Sequence, residues 1–277
     1  MGPATSYLSI PSTYVFQAIF GSNYLIVIYL SGGPFVQNLD FGQLATSTRC
    51  GFIALSYAIL TIHFFYRYFA LCNPPIIQKL TSKTGIVYLI LFFLSYGIVW
   101  GGVCQKSLYG TNDTRDVVRA EFLEDFDIDV SQISFLNVVF RSVNIRTVHR
   151  CWLGISILTG ISLSSISLYC VLSYKIVKKL QDVHHVSKIT QKLHRQLFHT
   201  LAVQTVIPTI ISFLPCMIVW FIPLFGVHLG GQYGNIGVIT LSAFPSLDAL
   251  AVILLLPVYR NRFTTIISKT NSVKLYS

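Results

Sequence analysis

The chain has 277 residues, of which 53% are hydrophobic and only 11% are charged. A soluble domain of this length carries about 25% charged residues, so the composition excludes an ordinary soluble protein and indicates one embedded in a lipid bilayer. The net charge of +10 does not indicate a nucleic-acid partner, because the Lys and Arg residues lie in short segments between apolar runs and no basic domain with interleaved aromatic residues is present.

Six apolar segments are long enough to cross a bilayer as helices, which takes roughly 20 residues. They cover about 8–30, 50–72, 85–105, 151–173, 198–224 and 236–257, and a tail follows at 258–277. The first contains Pro11, Gln17 and Asn23, so a short or re-entrant segment is the alternative to a full span there. No Lys or Arg precedes Arg49, so a cleaved signal peptide is not expected. We therefore predict an all-α membrane bundle that forms a single domain over 1–277.

Positive charge indicates which helix ends face the cytoplasm. Three connections that alternate along the predicted topology are basic. They contain Lys79 and Lys83; then Lys175, Lys178, Lys179, Lys188, Lys192 and Arg195; and in the tail Arg260, Arg262, Lys269 and Lys274. We assign all three to the cytoplasm. Within the second, Lys175, Lys178, Lys179, Lys192 and Arg195 form a basic face, whose simplest role is to anchor the chain to anionic lipid.

The long connection at 106–150 has the opposite character, since it carries seven of the chain's ten acidic residues. It also contains the only Asn-x-Ser/Thr sequon, Asn112-Asp113-Thr114. A glycosylating enzyme reaches a sequon only on the lumenal side, so Asn112 agrees with an outer position for this connection. A chance sequon is the alternative, because such triplets are common in a chain of this length.

The second predicted helix ends in LTIHFFYRYFALCNPP, residues 60–75. His63 and Arg67 lie four residues apart on one helical face, and Pro74 stops the helix. Arg67 either reaches the lipid headgroups, with the neighbouring tyrosines as an interfacial belt, or faces a cytoplasmic crevice where it binds a partner or locks a closed state.

The last predicted helix contains AFPSLDALAVILLLPVYRNRF, residues 243–263, with a single carboxylate at Asp248. Asp248 lies nine residues before Pro257, which is roughly 13 Å inside the membrane at the 1.5 Å rise per residue of an α-helix. An ionised Asp at a helix centre costs about 2.5–3.5 kcal/mol, so its side chain is expected to face the bundle interior. Pro245 removes a backbone hydrogen bond and favours a bend. We interpret the pair as a hinge beside a buried polar switch contact; a purely structural interhelical hydrogen bond is the alternative.

Signatures of enzymes and of metal sites are missing from the sequence. There is no HExxH, no GxSxG, no Walker lysine and no pair of intramembrane acids. The six cysteines show neither a CxxC pair nor a metal-ligand spacing. We therefore expect no enzymatic activity, cofactor or metal.

Three motifs resemble one family. HFFYRYFALCNP, RQLFHTLAVQTVIPTIISFLPC and AFPSLDALAVILLLPVYRNRF are similar to the third, sixth and seventh helices of the nematode serpentine chemoreceptors of the Str superfamily, serpentine receptor class r, which are seven-helix G-protein-coupled receptors. The resemblance covers about residues 50–277, and the segment before it is a looser match to the family's second helix. The family's first helix therefore has no counterpart, which agrees with an N-terminus that the charge pattern places in the cytoplasm without any positive charge to hold it there.

The resemblance implies an odorant or pheromone receptor in the plasma membrane of sensory-neuron cilia, with a heterotrimeric G protein as its cytoplasmic partner. Onto this chain it carries Tyr66, Arg67 and Tyr68 as the cytoplasmic motif of helix three, Pro245 and Asp248 as the Pro-x-x-Asp of helix seven, and Tyr259 and Arg260 as the end of that helix. Ala249 departs from the Asp-Pro that the family usually has. No residue is singled out for ligand binding.

Cys50 and either Cys104 or Cys151 lie near the same outer rim of this arrangement and are candidates for a disulfide, with free membrane thiols as the alternative. Two other functions are compatible with the sequence: a small-solute transporter or channel, and a truncated, non-functional receptor.

Overall fold

A computed structural model describes residues 17–22, 24–30, 39–126, 133–142, 144–182 and 214–227, together with the single positions 203, 206, 209, 210, 239 and 250. In chain order the elements are strands β1 (Gln17–Ser22) and β2 (Leu25–Leu30), helices α1 (Leu39–Cys72), α2 (Pro74–Leu80), α3 (Lys83–Ser107) and α4 (Asn112–Phe126), strand β3 (Phe135–Val139), helices α5 (Ile145–Asp182) and α6 (Leu214–Phe221), and a short 3₁₀ helix (Ile222–Phe225).

Within the described part of the chain, three helices are long and apolar enough to cross a membrane: α1, α3 and α5. The second, third and fourth predicted spans lie inside them, so the expected helical membrane bundle is confirmed. Helices α1 and α5 extend beyond those spans, and α5 continues to Asp182 through the first lysines of the basic face. Of the fifth predicted span the structure describes mainly the outer end, as α6. The sixth lies outside the described residues except at positions 239 and 250.

The prediction of a first spanning helix over 8–30 is wrong for residues 17–30, which form an antiparallel hairpin. Ser22 pairs with Leu25, so the loop has two residues, and Tyr24 in that loop has a φ of 70°. The prediction of a span failed because the apolar run LIVIYL forms strand β2, which is buried on both faces of the sheet. A short continuous apolar run has the same pattern in a fully buried strand as in a buried helix, so periodicity does not distinguish the two.

β2 is the central strand of a three-stranded antiparallel sheet in the order β1-β2-β3. One face of the sheet packs on the ends of the membrane helices. This helix-side cluster contains Ile19, Ile26, Ile28, Leu136 and Val138 of the sheet together with Cys50, Cys104, Leu108, Phe140, Cys151, Ile155, Leu158 and Val219. The other face packs on α4, and this cap cluster consists of Phe20, Leu25, Val27, Phe135 and Val139 with Val118 and Phe122. The sheet is therefore a layer between the bundle and α4.

Helices α1 and α3 run antiparallel at very short distance because small residues line their contact. A Cβ added to Gly51 would lie 2.7 Å from the Gly97 carbonyl oxygen, and one added to Gly101 would lie 3.2 Å from the Ser47 carbonyl oxygen. Ser47 Oγ also donates to Gln105 Oε1 at 2.8 Å. Without a hydrophobic driving force in lipid, close backbone approach of this kind is a main source of helix association.

Helices α1 and α5 run parallel. Cys50 and Cys151, early in the two helices, share the helix-side cluster, whereas Phe64 and Tyr169, late in both, share a second cluster. The C-terminal ends of α1 and α5 consequently lie at the end of the bundle remote from the sheet and α4. That end carries Lys175 and its neighbouring lysines, and the sheet end carries Asn112, which agrees with the orientation expected from charge.

The contact between α1 and α3 leads to a prediction about two glycines. Gly51→Ala should lower the free energy of unfolding by about 1–3 kcal/mol, because the new methyl meets backbone that cannot move away cheaply. Gly102→Ala on α3 is the matched control, since its added Cβ has nothing within 4 Å. Alanine is a better helix former than glycine by about 1 kcal/mol, so the control should be neutral or stabilised. Thermal unfolding of the purified protein in detergent measures both, and equal shifts would contradict the packing described.

Candidate functional site

The last turns of α1 and α5 form the candidate site, which we call the cytoplasmic site after the side of the membrane on which the charge pattern predicts it. It consists of Tyr66, Arg67 and Tyr68 from α1 with Lys175, Lys178 and Lys179 from α5. Helix α1 ends at Cys72 because Asn73 precedes Pro74, and a residue before proline is disfavoured in the helical region. Helix α2 starts with this proline and leads into a turn whose Ser82 Oγ accepts from the Gly85 N–H at 3.2 Å, capping α3.

A hydrophobic contact joins the two helix ends, and we call it the latch. Phe64 is fully buried and stacks on Tyr169 with ring centroids 5.1 Å apart and planes 17° from parallel. Leu60, Leu172 and Ile176 complete its buried part. Because Phe64 is three residues before Arg67 and Ile176 directly follows Lys175, the latch fixes the position of the α1 motif relative to the lysines.

The structure brings together two features that the sequence offers separately. Lys175 Nζ lies 5.8 Å from the centroid of the Tyr68 ring, within cation–π range. Tyr66 is half exposed, Arg67 is partly buried, and Lys178 and Lys179 are exposed. His63, expected on the face of Arg67, is exposed. The resulting surface is cationic and partly aromatic, and it lies at the end of the bundle that the charge pattern predicts to be cytoplasmic.

The remaining residues predicted for this side lie outside the described residues. These are Lys192 and Arg195 of the basic face, and Pro245, Asp248, Tyr259 and Arg260 of the last predicted helix.

A polar network deeper in the bundle was not predicted from the sequence. The Tyr169 hydroxyl donates to the Tyr57 carbonyl oxygen at 2.8 Å and lies 3.2 Å from Thr61 Oγ1. One turn earlier on α5, Ser165 Oγ lies 2.6 Å from the Tyr96 hydroxyl of α3. Together these contacts connect α5 to both α1 and α3 just beneath the latch. A tyrosine late in an apolar run is typical of an interfacial belt, so its sequence position gives no sign of this role.

At the sheet end of the bundle, Asn112 begins α4 with its side chain exposed. Thr114 of the sequon is buried and acts in the helix cap: its Oγ1 accepts from the Thr111 N–H and donates to the Thr111 carbonyl oxygen, both at 2.8 Å. The sequon therefore presents its asparagine to solvent, whereas its threonine hydroxyl is accessible only before α4 folds.

The three cysteines singled out for a disulfide, Cys50, Cys104 and Cys151, are all buried in the helix-side cluster, where the structure has them as thiols. Cys151 Sγ donates to the Asn137 carbonyl oxygen at 3.8 Å. Pairing of Cys50 with Cys104 or Cys151 stays a prediction. Among the described residues, no group of three or more His, Cys, Asp or Glu side chains could hold a metal ion.

Comparison with known proteins decides the family. Residues 6–263 match the family model of the serpentine type 7TM GPCR chemoreceptor Srj. The chain belongs to this family. It is a chemosensory G-protein-coupled receptor of the membrane, and the resemblance recognised in its helix motifs is confirmed. Membership of a receptor family also favours signalling over a transporter or channel.

Three relatives show how far the similarity extends. The receptor is 30% identical over 247 residues to serpentine receptor class J-38 of Caenorhabditis elegans, covering 89% of this chain and 74% of that protein. It is 26% identical over 256 residues to serpentine receptor class r-10 of the same species, covering 88% and 73%. With G-protein coupled receptor str-33 the identity is 22% over 224 residues, covering 78% and 64%.

The latch yields a prediction about the joining of α1 and α5. Phe64→Ala should lower the free energy of unfolding by about 3 kcal/mol, because it removes a fully buried ring and leaves a cavity. Phe52→Ala is the matched control on the same helix, since that ring is 66% exposed. Denaturation in detergent micelles compares the two; a control as damaging as Phe64→Ala would show that the latch adds nothing specific.

Asn112 provides a second prediction, which concerns orientation. Expressed in a eukaryotic membrane, the receptor should carry a glycan that an endoglycosidase removes, with a matching shift on a gel. Asn112→Gln should abolish the shift. Asn144→Gln, which changes an asparagine of the same outer end but lies outside any sequon, should leave it intact. A protein that reaches the surface without any glycan would contradict the outer placement of α4.

Proposed function

We propose that the receptor detects a small odorant or pheromone outside the cell and transmits the signal to a heterotrimeric G protein bound at the cytoplasmic site. Its place would be the plasma membrane of a sensory-neuron cilium. The observation that carries this proposal is the joining of the α1 motif to the α5 lysines by the latch, at the end of the bundle opposite Asn112. Such a surface exists only in the folded bundle and can change when the helices repack.

Chemically, the cytoplasmic site suits an acidic partner. Exposed lysines attract and orient a negatively charged surface, mainly by accelerating encounter. A tyrosine half exposed beside them, Tyr66, offers apolar contact area with a hydrogen-bonding hydroxyl, a composition common in protein interfaces. We include Lys192, Arg195, Tyr259 and Arg260 in this proposed face on the basis of the sequence.

Activation would be a shift between two helix packings, with the ligand binding one of them more tightly. The latch and the network around Tyr169 are where α5 is joined to α1 and α3, so repacking there would move Arg67 relative to Lys175. We propose that Pro245 and Asp248 in the last predicted helix form the matching hinge and buried polar contact. A disulfide from Cys50 to Cys104 or Cys151 would limit the movement to the inner part of the bundle.

The experiment compares Arg67→Ala with Lys83→Ala, which removes an equal charge from the same side of the membrane but from the start of α3. Cells expressing each variant with a G protein are exposed to a panel of small volatile ketones and alcohols, and G-protein dissociation is recorded. Arg67→Ala should reduce the response at least about tenfold at unchanged surface level, as expected for loss of a charged interfacial contact. Lys83→Ala should respond as the wild type does.

Two results would contradict the proposal. One is an equal response from wild type and Arg67→Ala, which would remove the G protein from the cytoplasmic site. The other is receptor at the surface that drives no G-protein dissociation but carries a panel compound across the membrane.

A further inference from the structure

Asn137 is the middle residue of β3, and its main chain is held from two sides. Its N–H donates to the Leu108 carbonyl oxygen at 2.7 Å, and its carbonyl oxygen accepts from Cys151 Sγ. The side chain is 1% exposed. Nevertheless, neither Oδ1 nor Nδ2 of this amide has a hydrogen-bond partner in the part of the chain that the structure describes.

The amide lies on the face of the sheet that α4 covers. Asn137 pairs with Val27, which pairs with Phe20, so the three form one row across the strands. Phe135 and Val139 stand on either side of Asn137 along β3, and all four neighbours belong to the cap cluster. The surroundings of the amide are therefore apolar and aromatic.

Helix α4 closes this cluster with Phe122, whose ring meets those of Phe20 and Tyr29 edge-on, each at 5.1 Å between centroids. Burial raises the pKa of Tyr29 above its ordinary value, so its hydroxyl stays neutral. Arg115 is also nearby, with its guanidinium 5.0 Å from the centroid of the Phe135 ring and Nη1 donating to the Ile133 carbonyl oxygen.

A buried amide without partners destabilises the fold, whereas a leucine at this position would pack among the same side chains without that penalty. The amide offers two N–H donors and one acceptor oxygen, so it can bind a carbonyl through Nδ2 or a hydroxyl through either end. Aromatic rings around one polar group match the usual composition of a small-molecule site, in which apolar surface provides affinity and a few polar groups fix orientation.

We propose that the cap cluster binds a small, mainly apolar molecule with one carbonyl or hydroxyl oxygen, and that the Asn137 amide hydrogen-bonds this oxygen. This inference rests on the proposed function, because it names the chemical class of the stimulus and where it binds. The ligand lies between the sheet and α4, above the membrane helices.

Access to this site requires α4 to separate from the sheet. Asp113 and Arg115, both in the first turns of α4, make polar contacts with the neighbouring chain. Asn144 Nδ2 donates to Asp113 Oδ2 at 2.7 Å, and Arg115 Nη1 donates to the Ile133 carbonyl oxygen. Phe122, by contrast, is held by ring contacts. On the proposed binding, α4 lifts about these first-turn contacts, so that the ring contacts of Phe122 with Phe20 and Tyr29 open.

The main chain of Asn137 connects the site to the bundle. Leu108 directly follows α3, and Cys151 lies in α5, the helix that carries Tyr169 and Lys175 at its other end. A ligand that shifts β3 therefore acts on two spanning helices through hydrogen bonds already formed.

The test uses the receptor purified in lipid nanodiscs and three ring compounds of nearly equal size: cyclohexanone, cyclohexanol and cyclohexane. Binding is measured by the shift in thermal unfolding over a concentration series. Wild type should bind the two oxygenated compounds about tenfold more tightly than cyclohexane, the effect of one added hydrogen bond. Asn137→Leu should bind all three alike and unfold at a higher temperature than wild type. Asn73→Leu, the same substitution at the cytoplasmic end, should keep the wild-type preference.

A second variant protects the test against a change in folding. Val118→Phe keeps the amide but fills the cap cluster from α4, so it should weaken binding of all three compounds. Failure of wild type to bind the oxygenated compounds overturns the site. The same preference for oxygenated compounds in wild type and Asn137→Leu overturns it too, and this is the result expected if an ordered water occupies the amide.

G-protein dissociation in cells, measured with the same compounds, separates the two proposals. Binding that depends on Asn137 without any G-protein response would remove the proposed function and leave the site. A G-protein response that Asn137→Leu does not alter would leave the proposed function and remove the site.

Discussion

Helix α1 has to contact two neighbours at once, and the rest of the described structure depends on how it does so. Toward α3 it presents Gly51, which lets two backbones approach to a distance that any side chain would prevent. Toward α5 it presents Phe64, a large ring that is fully buried against Tyr169. In lipid, where apolar contact alone provides little preference for one partner, shape of this kind decides which helices associate.

This arrangement places opposite chemistries at opposite ends of the bundle. The parallel course of α1 and α5 puts Arg67 and Lys175 on one side of the membrane, where their charges are stabilised by water and anionic lipid. At the other end the sheet covers the helix ends, so that its central strand is buried on both faces. The sheet also provides backbone hydrogen-bond partners to chain leaving the helices: the Phe140 N–H donates to the Tyr24 carbonyl oxygen, and the Tyr24 N–H to that of Pro223.

A continuous path of named contacts joins the two ends. It runs from the Asn137 main chain to Cys151, along α5 to Ser165 and Tyr169, and from there to Tyr57 and Phe64 of α1. Between elements each step is a hydrogen bond or a ring contact, and from Cys151 to Ser165 the path follows α5 itself. Coupling of distant sites needs an element with two arrangements whose equilibrium both sites bias, and the proposed repacking of α5 against α1 and α3 would be that element.

The sequence by itself determined the membrane bundle and its family and predicted its orientation, since these follow from local properties: apolar length, the distribution of Lys and Arg, and motifs within single helices. It predicted Arg67 and the α5 lysines as functional residues, but not their proximity, which depends on the latch formed by residues more than 100 positions apart. The hairpin was mistaken for a span because an apolar run looks alike in a buried strand and in a helix. Only the tertiary structure decided that the LIVIYL strand lies inside a sheet, and that Asn137, whose polar side chain suggests exposure, is buried under α4. Burial depends on what the rest of the chain places around a residue, which no short segment can specify.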